Sequence, residues 1–184
     1  MSGKREFVDI FQKHNVRIHE NSIPFISDLL SLGCGYDYEE LVIPDYQRGL
    51  VWSDTQKENL IKSILCGVPV GTFVFARQAY DHKTWKKLEK RTYGIVDGQQ
   101  RYNAIKDFVS DKFRVCGKLC SELEKLDREA FMSYSRFNTM IILEPSREIE
   151  LDFYFTLNFG GTAHTKEDLE RLLEAKGSLE NKLR

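Results

Sequence analysis

The sequence predicts a single mixed α+β domain, with helices packed around a small sheet. Short apolar runs at 72–76 and 139–143 have the length and the β-branched or aromatic content of buried strands. Amphipathic runs with capping signals predict helices between and beyond these strands. At Asp97 and Gly98 a strand, a tight turn and a helix follow one another directly, which is typical of mixed folds.

Capping residues and glycines divide the first half of the chain into elements. Residues 25–32 predict a helix, and 41–43 predict a strand that leads into a loop. Ser53 and Gln56 form a capping box for the next helix, which Gly67 ends. The predicted inner face of that helix consists of Leu60, Ile61, Ile64 and Leu65.

The other segments have weaker or mixed patterns. Residues 93–96 predict a strand, and the charged residues 78–91 before it predict an exposed excursion between two strands. Residues 147–157 alternate polar and apolar side chains, which suits a strand. Thr165 is placed to cap a last helix, and residues 7–11 suggest a short leading one.

Composition and charge narrow the class of protein. The 184 residues, 41% of them hydrophobic, suit one domain with a sizeable core. A net charge of −1 provides no overall basic field, so any contact with DNA needs a local patch. The cysteines lack paired spacing and the histidines are scattered, which argues against structural zinc and for reduced thiols. We expect a cytoplasmic protein with no membrane partner, because no apolar run resembles a signal core or a membrane span.

The junction at Asp97 has the chemistry of a phosphate site. The first turn of the following helix carries Gln99, Gln100 and Arg101, and its free N–H groups and positive dipole end favour an anion. Arg101 adds a planar guanidinium suited to phosphate oxygens. Asp97 is placed to hold a metal or to accept a proton. The same residues also suit a plain Asp-Gly turn followed by a solvated or salt-bridged arginine, so the local sequence leaves both interpretations open.

Two further motifs accompany this junction. Residues 43–52 read Ile-Pro-Asp-Tyr-Gln-Arg-Gly-Leu-Val-Trp, and residues 155–162 read Phe-Thr-Leu-Asn-Phe-Gly-Gly-Thr. Together with Ile-Val-Asp-Gly-Gln-Gln-Arg at 95–101, they resemble, in content and order, the N-terminal domain of GmrSD-type modification-dependent restriction enzymes. The resemblance covers about residues 23–173 of a predicted single domain, 1–184. It implies a ParB/sulfiredoxin-like fold and makes 147–157 a helix.

The resemblance also implies an enzyme that binds a nucleoside triphosphate (ATP, GTP or CTP) with Mg²⁺. Phosphoryl transfer needs positioning and charge neutralisation more than covalent chemistry. Asp97 would hold Mg²⁺ or orient the attacking group, Asp45 is the second candidate carboxylate, and Arg101 is a candidate catalytic cation. The groups implied to bind nucleotide or phosphate are Arg48, Gln47, Gly98, Gln99, Gln100, Arg101, Asn158 and Gly161.

Two residues of the 43–52 motif have competing interpretations. Arg48 would either face the ligand or form an ion pair with Asp45 or Glu58. Trp52 is expected to pack and fix the loop rather than to stack on a base, because aromatic side chains mostly contribute core area.

A basic and aromatic cluster lies in the predicted excursion. It consists of Lys83, Trp85, Lys86, Lys87 and Lys90, with Tyr80 and Arg91 nearby. Such a cluster suits contacts with DNA, and it is equally typical of a charged surface loop. Because the strand after it ends at Asp97, we expect the cluster to project beside the mouth of the phosphate site.

Three functions remain open at this point. The first is hydrolysis of a nucleoside triphosphate in a DNA-related, restriction or phage-type context. The second is a kinase that transfers the γ-phosphate to a hydroxyl of a modified base or a small metabolite, and the third is a nucleotide-gated DNA-binding module without turnover. No cleavage motif follows the Asn-Phe-Gly-Gly block, so we expect no nuclease activity from this chain alone. A protein partner or a second copy of the chain would complete such a system.

Overall fold

A five-stranded mixed sheet flanked by helices forms the centre of the protein. The computed structural model describes residues 17–20, 23, 25–33, 39–80 and 86–159. The strands are β1 (Arg17–Glu20), β2 (Glu39–Val42), β3 (Thr72–Tyr80), β4 (Lys87–Asp97) and β5 (Asn138–Leu143). The helices in this part of the chain are α1 (Ile26–Gly33), α2 (Asp54–Leu65), α3 (Gln99–Val109), α4 (Lys125–Ser133) and α5 (Arg147–Phe159), with a short 3-10 helix at Cys120–Glu122. The predicted α+β class is confirmed.

The sheet has the strand order β1-β5-β3-β4-β2. β3 and β4 form an antiparallel pair at its centre, β2 runs parallel to β4, and β5 runs parallel to β3. β1 pairs antiparallel with β5 at one edge. Parallel neighbours require crossover connections, and α2 and α3–α4 lie in the segments that cross over.

Each face of the sheet has its own apolar core. Side chains alternate along a strand, so Phe73 and Phe75 of β3 point to one face and Val74 and Ala76 to the other. The first face packs against α1, α2, α3 and Phe131 of α4. The second face is covered by α5, which contributes Ile149, Leu151, Phe153 and Tyr154. The protein therefore has three layers, with the sheet in the middle.

Several predicted helices agree with the structure, with one correction. The capping box of Ser53 and Gln56 is present at the start of α2, and Leu60, Ile61 and Ile64 are buried. Leu65 was predicted on the same face, but its side chain is 42% exposed, because the helix ends at that residue. The helix implied at 147–157 by the family resemblance is confirmed, and the strand suggested there by alternation is wrong.

The predicted charged excursion at 78–91 is exposed in most of its described residues, but its bounds are wrong. β3 continues to Tyr80 and β4 begins at Lys87, where the two residues pair. β3 pairs with β5 only as far as Arg77, and β4 pairs with β2 only from Arg91 onwards. The remaining residues of the two strands, 78–80 and 87–90, form a two-stranded ribbon. Charged side chains are compatible with these strands because most of the ribbon is exposed while its backbone groups pair across the hairpin.

The ribbon and the Asp97 junction lie at opposite ends of β4. A strand rises roughly 3.3 Å per residue, so the ten steps from Lys87 to Asp97 span about 33 Å. The described lysines of the basic cluster, Lys86, Lys87 and Lys90, therefore do not lie beside the junction, which corrects that expectation for them. Lys83 and Trp85 lie outside the described residues, as do the helices predicted at 7–11 and after Thr165. No helix in the described part of the chain is long and apolar enough to cross a membrane.

Gly98 connects β4 to α3 in a conformation that requires glycine. Its φ is +108°, and a Cβ atom at this position would lie 2.5 Å from Cδ1 of the fully buried Phe73. L-residues rarely adopt this φ, and the buried ring has no room to move away. Gly98 therefore allows the helix to begin directly against the sheet.

We expect Gly98→Ala to lower the free energy of unfolding by about 2–4 kcal/mol, from backbone strain and overpacking together. Urea denaturation followed by circular dichroism measures this loss. Gly49→Ala is the matched control, because nothing lies within 4 Å of the methyl group it would add. Its free energy of unfolding should stay within about 0.5 kcal/mol of wild type. Equal stability of the two variants would contradict this account of the junction.

Candidate functional site

The junction between β4 and α3 contains a β-bulge. Phe75 pairs with Ile95 and Val74 pairs with Asp97, so β4 has one extra residue at Val96. Bulges of this kind often lie next to functional sites, where they redirect side chains. β2 ends opposite Gly94, so β4 continues beyond its neighbour on that side. The last residues of β4 therefore need other partners for their backbone groups.

Gln47 provides those partners. Its Nε2 donates to the carbonyl oxygens of Ile95 and Val96, at 2.6 and 2.9 Å. Its backbone N–H donates to the carbonyl oxygen of Pro44 at 3.1 Å, which closes a turn after β2. Both hydrogens of the side-chain amide of Gln47 are thus used within the chain, whereas the sequence predicted a nucleotide contact for this residue.

Gln100 fixes the segment that follows Arg48. Its Oε1 accepts hydrogen bonds from the N–H groups of Val51 at 3.0 Å and Trp52 at 3.3 Å, and its Nε2 donates to the carbonyl oxygen of Gly49 at 2.9 Å. Trp52 is partly buried and packs against the core, which confirms its predicted packing role. One side chain of α3 therefore holds the backbone of residues 49–52.

Arg101 is directed into the protein. Its guanidinium donates to the carbonyl oxygens of Val70 and Thr72, at 2.9 and 3.0 Å, and to the carboxylate of Asp97 at 2.7 Å. Its Cζ also lies 4.7 Å above the ring centre of Phe73, and the side chain is 13% exposed. Three of the five guanidinium N–H groups are thus engaged within the chain. A contact between Arg101 and phosphate stays a prediction, limited to the remaining two.

The guanidinium of Arg48, unlike that of Arg101, makes no polar contact with the described residues. It is half-buried and forms no hydrogen bond or ion pair within the described residues. Its two predicted alternative partners are occupied, since Asp45 pairs with Arg147 and Glu58 pairs with Lys62. The predicted ion pair of Arg48 with Asp45 or Glu58 is therefore wrong, and its charge has no partner among the described residues.

The first turn of α3 also contains unsatisfied polar groups. The cap residue is Gly98, so no side chain caps the N–H groups of Gln99, Gln100 and Arg101, which have no acceptor among the described residues. Gln99 is only 9% exposed, and its Oε1 is buried without a hydrogen-bond partner. Leaving such a group unpaired costs about 1–3 kcal/mol. Among the described residues, this turn therefore combines uncapped N–H donors with one buried acceptor, the Oε1 of Gln99, that has no partner.

Asp97 is the carboxylate of this junction. It ends β4, its side chain is 35% exposed, and one of its oxygens, Oδ2, bonds Arg101. Across the parts of the chain that the structure describes, no three His, Cys, Asp or Glu residues converge as metal ligands. One carboxylate nevertheless suits Mg²⁺ when substrate phosphates and waters supply the remaining oxygens. Asp97 fits that requirement through its second oxygen, Oδ1.

A second polar cluster joins the loop before Arg48 to α5. The hydroxyl of Tyr46 donates to the buried carboxylate of Glu150 at 2.7 Å, and the guanidinium of Arg147 lies 4.6 Å above the Tyr46 ring. Burial, together with the Glu150 carboxylate, raises the pKa of Tyr46 above its ordinary value, so Tyr46 stays a neutral donor. Asp45, predicted beside Asp97, is instead a highly exposed partner of Arg147.

Sequence reasoning missed this cluster because its members are about a hundred residues apart in the chain. The alternating pattern at 147–157 also gave no sign that Arg147 and Glu150 lie on one helix face. Asn158 belongs to the last turn of α5, where its Nδ2 donates to the carbonyl oxygen of Tyr154 at 2.9 Å. Gly161 lies outside the described residues.

Comparison with known proteins agrees with the resemblance of the three motifs. Residues 26–182 match the sequence model described as GmrSD restriction endonuclease, N-terminal domain. An uncharacterized protein of Methanocaldococcus jannaschii is 31% identical over an alignment of 80 residues, which covers 36% of this chain and 14% of that protein. The matched part of the chain thus spans about a seventh of the length of this relative. No solved structure matches the chain significantly.

Replacing Arg101 with alanine should lower the free energy of unfolding by about 2–4 kcal/mol, because two carbonyl oxygens and a carboxylate lose a charged donor. Arg101→Lys should recover part of this stability, since an ammonium group replaces one of the bonds and lacks the planar fork. Thermal and urea denaturation measure both variants. Arg128→Ala on α4 removes the same charge from an exposed position and should change stability by less than about 0.5 kcal/mol. A fully stable Arg101→Ala variant would show that these bonds do not support the fold.

Proposed function

Because the chain belongs to the GmrSD restriction endonuclease N-terminal domain family, we propose that it binds a nucleoside triphosphate at the β4–α3 junction and hydrolyses it. The family description places the chain in a restriction and DNA-related context. The nucleotide, its hydrolysis and the DNA partner are proposals that rest on the geometry of the junction together with that context.

The observation that carries the proposal is the set of unsatisfied groups at the junction. The first turn of α3 has three uncapped N–H groups at the positive end of the helix dipole, which favour phosphate oxygens. Arg48 lies in the segment that Gln47 and Gln100 attach to this junction, and its charge has no acceptor among the described residues. The unpaired Oε1 of Gln99 is an acceptor, so a hydroxyl or N–H of the nucleoside part of the ligand, and not a phosphate oxygen, would be its partner.

Asp97 and Mg²⁺ supply the second requirement of phosphoryl transfer. When bound, Mg²⁺ would neutralise charge on the phosphates, and Asp97 is the residue placed to hold it. Arg48 and the α3 N–H groups would position the phosphates, and Asp97 would alternatively orient the attacking water. Arg101 would keep the Asp97 carboxylate in place through their 2.7 Å contact.

Transfer to a hydroxyl acceptor and binding without turnover remain the alternatives. All three activities would use the same phosphate site, so product analysis separates them. Free phosphate without an acceptor indicates hydrolysis, labelled acceptor indicates a kinase, and bound but unchanged nucleotide indicates a switch.

The test uses the purified protein with γ-labelled ATP, GTP and CTP in the presence of Mg²⁺, with and without plain or hydroxymethylated DNA. We expect release of phosphate from at least one nucleotide. Asp97→Asn should reduce turnover by at least ~10²-fold while nucleotide still binds, because the amide lacks the charge that a metal or proton acceptor requires. Asp127→Asn on the exposed side of α4 is the matched control and should keep wild-type turnover. Turnover near the wild-type rate in Asp97→Asn would refute the assigned role of Asp97.

We also propose that the β3–β4 ribbon contacts DNA. A two-stranded ribbon has the dimensions to enter the major groove; Lys87 and Lys90 belong to its β4 strand, and Lys86 directly precedes that strand. With a net charge of −1, the protein needs such a local basic patch to bind a polyanion. The ribbon lies at the far end of β4 from Asp97, so the two proposed sites are separate.

Replacing Lys86, Lys87 and Lys90 together with alanine should make DNA binding less dependent on salt, with the slope falling by about one unit for each DNA phosphate that the variant no longer neutralises. Nucleotide turnover without DNA should not change, since the ribbon is distant from the junction. The matched control replaces three exposed cations elsewhere, Lys118, Lys125 and Arg128, and should keep the wild-type slope. Identical affinity and slope in the ribbon variant and wild type would rule out this DNA-binding role.

A further inference from the structure

We propose that the side chains of Gln47 and Gln100 are positioning groups, which hold Arg48 where it meets the nucleotide phosphate without contacting the nucleotide themselves. The inference rests on the proposed function, because it concerns how Arg48 reaches the phosphate. It departs from the motif-based expectation that both glutamines donate to phosphate oxygens. The structure instead directs both carboxamides to the backbone on the two sides of Arg48.

On the side before Arg48, Gln47 is attached to the end of β4. Both hydrogens of its Nε2 are used on the carbonyl oxygens of Ile95 and Val96. The atom that remains is Oε1, an acceptor, which a phosphate oxygen would repel. Gln47 therefore has nothing to offer a phosphate, and its bonds fix the residue that directly precedes Arg48.

On the side after Arg48, Gln100 is attached to three backbone groups of residues 49–52. Both lone pairs of Oε1 are used by the N–H groups of Val51 and Trp52, and one hydrogen of Nε2 is used by the carbonyl oxygen of Gly49. A carboxamide can form four hydrogen bonds, and Gln100 uses three of them on this segment. The residue that directly follows Arg48 is thereby fixed to α3.

The segment needs these bonds because burial does not hold it. The side chains of Leu50 and Val51 are 55% and 61% exposed, and Gly49 is exposed as well. Exposed segments with few apolar contacts open readily unless their backbone is bonded. Without Gln100, the partial burial of Trp52 would be the next attachment to the core. Arg48 would then sample many orientations, and ordering it would weaken the binding of phosphate.

A double-mutant cycle between Gln100 and Arg48 tests the inference. Gln100→Met keeps the length of the side chain and removes its hydrogen bonds, and Gln100→Ala serves as the second variant. Affinity is measured for non-hydrolysable analogues of ATP, GTP and CTP with Mg²⁺, using the full chain. We expect Arg48→Ala to weaken binding about tenfold or more, the range for a charged hydrogen bond. Each Gln100 variant should weaken binding about tenfold when Arg48 is present and less than about twofold when it is absent, since residues acting through one contact are not additive.

Two further measurements separate positioning from general damage. Hydrogen exchange should accelerate at the N–H groups of Val51 and Trp52 in the Gln100 variants while the exchange of the sheet is unchanged. Gln78→Ala is the matched control, because its Nε2 also bonds a backbone carbonyl, that of Pro145, at the other end of β3. Its nucleotide affinity should stay within about twofold of wild type.

The possible failures are distinguishable. If Gln100→Met weakens binding equally with and without Arg48, the side chain of Gln100 contacts the nucleotide itself, and the inference is wrong although the proposed function stands. If Arg48→Ala binds as tightly as wild type, or if wild type binds none of the three analogues, the proposed phosphate site is wrong and the inference falls with it.

Discussion

The first turn of α3 is the constraint on which the rest of the junction depends. Gly98 lets the helix start against Phe73, Arg101 holds the carbonyl oxygens of residues 70–72, and Gln100 holds residues 49–52. Adjacent residues of one turn thus connect segments that are 29 to 51 residues away in the chain. The side chains of Gln100 and Arg101 bond backbone atoms. They therefore fix the positions of those segments whatever side chains the segments carry.

The loop from Pro44 to Trp52 is held from three directions. α5 holds Tyr46 through Glu150 and Arg147, β4 holds Gln47, and α3 holds the segment after Arg48. Arg48 lies between these attachments and has no acceptor among the described residues. Because the backbone on both sides of Arg48 is held, an anion bound there would have to order only the side chain, and this lowers the entropic cost of the proposed contact.

The sequence predicted the local features of this site better than its long-range contacts. The strand, turn and helix at Asp97, and the capping box at Ser53, depend on residues within a few positions of each other, and both are present. The amide of Gln47, in contrast, bonds carbonyl oxygens 48 and 49 residues away, which no local pattern encodes. A glutamine in a motif looks the same whether it meets a ligand or the backbone. The charged strand at Lys87–Arg91 escaped prediction because its stability comes from cross-strand pairing rather than from apolar side chains.

The distance along β4 limits how the two proposed sites would cooperate. A nucleotide at Asp97 would not touch the ribbon itself, because the β4 residues of the ribbon, Lys87 to Lys90, lie roughly 23–33 Å along the strand from Asp97. Coupling would have to pass through β4 and the elements packed against it, or through another protein. The bulge at Val96 is the irregular point of β4 nearest the junction, and Gln47 bonds the two carbonyl oxygens beside it. A shift of register there would move Gln47 and its neighbour Arg48 together, so a change in the strand at the bulge would alter the proposed phosphate site.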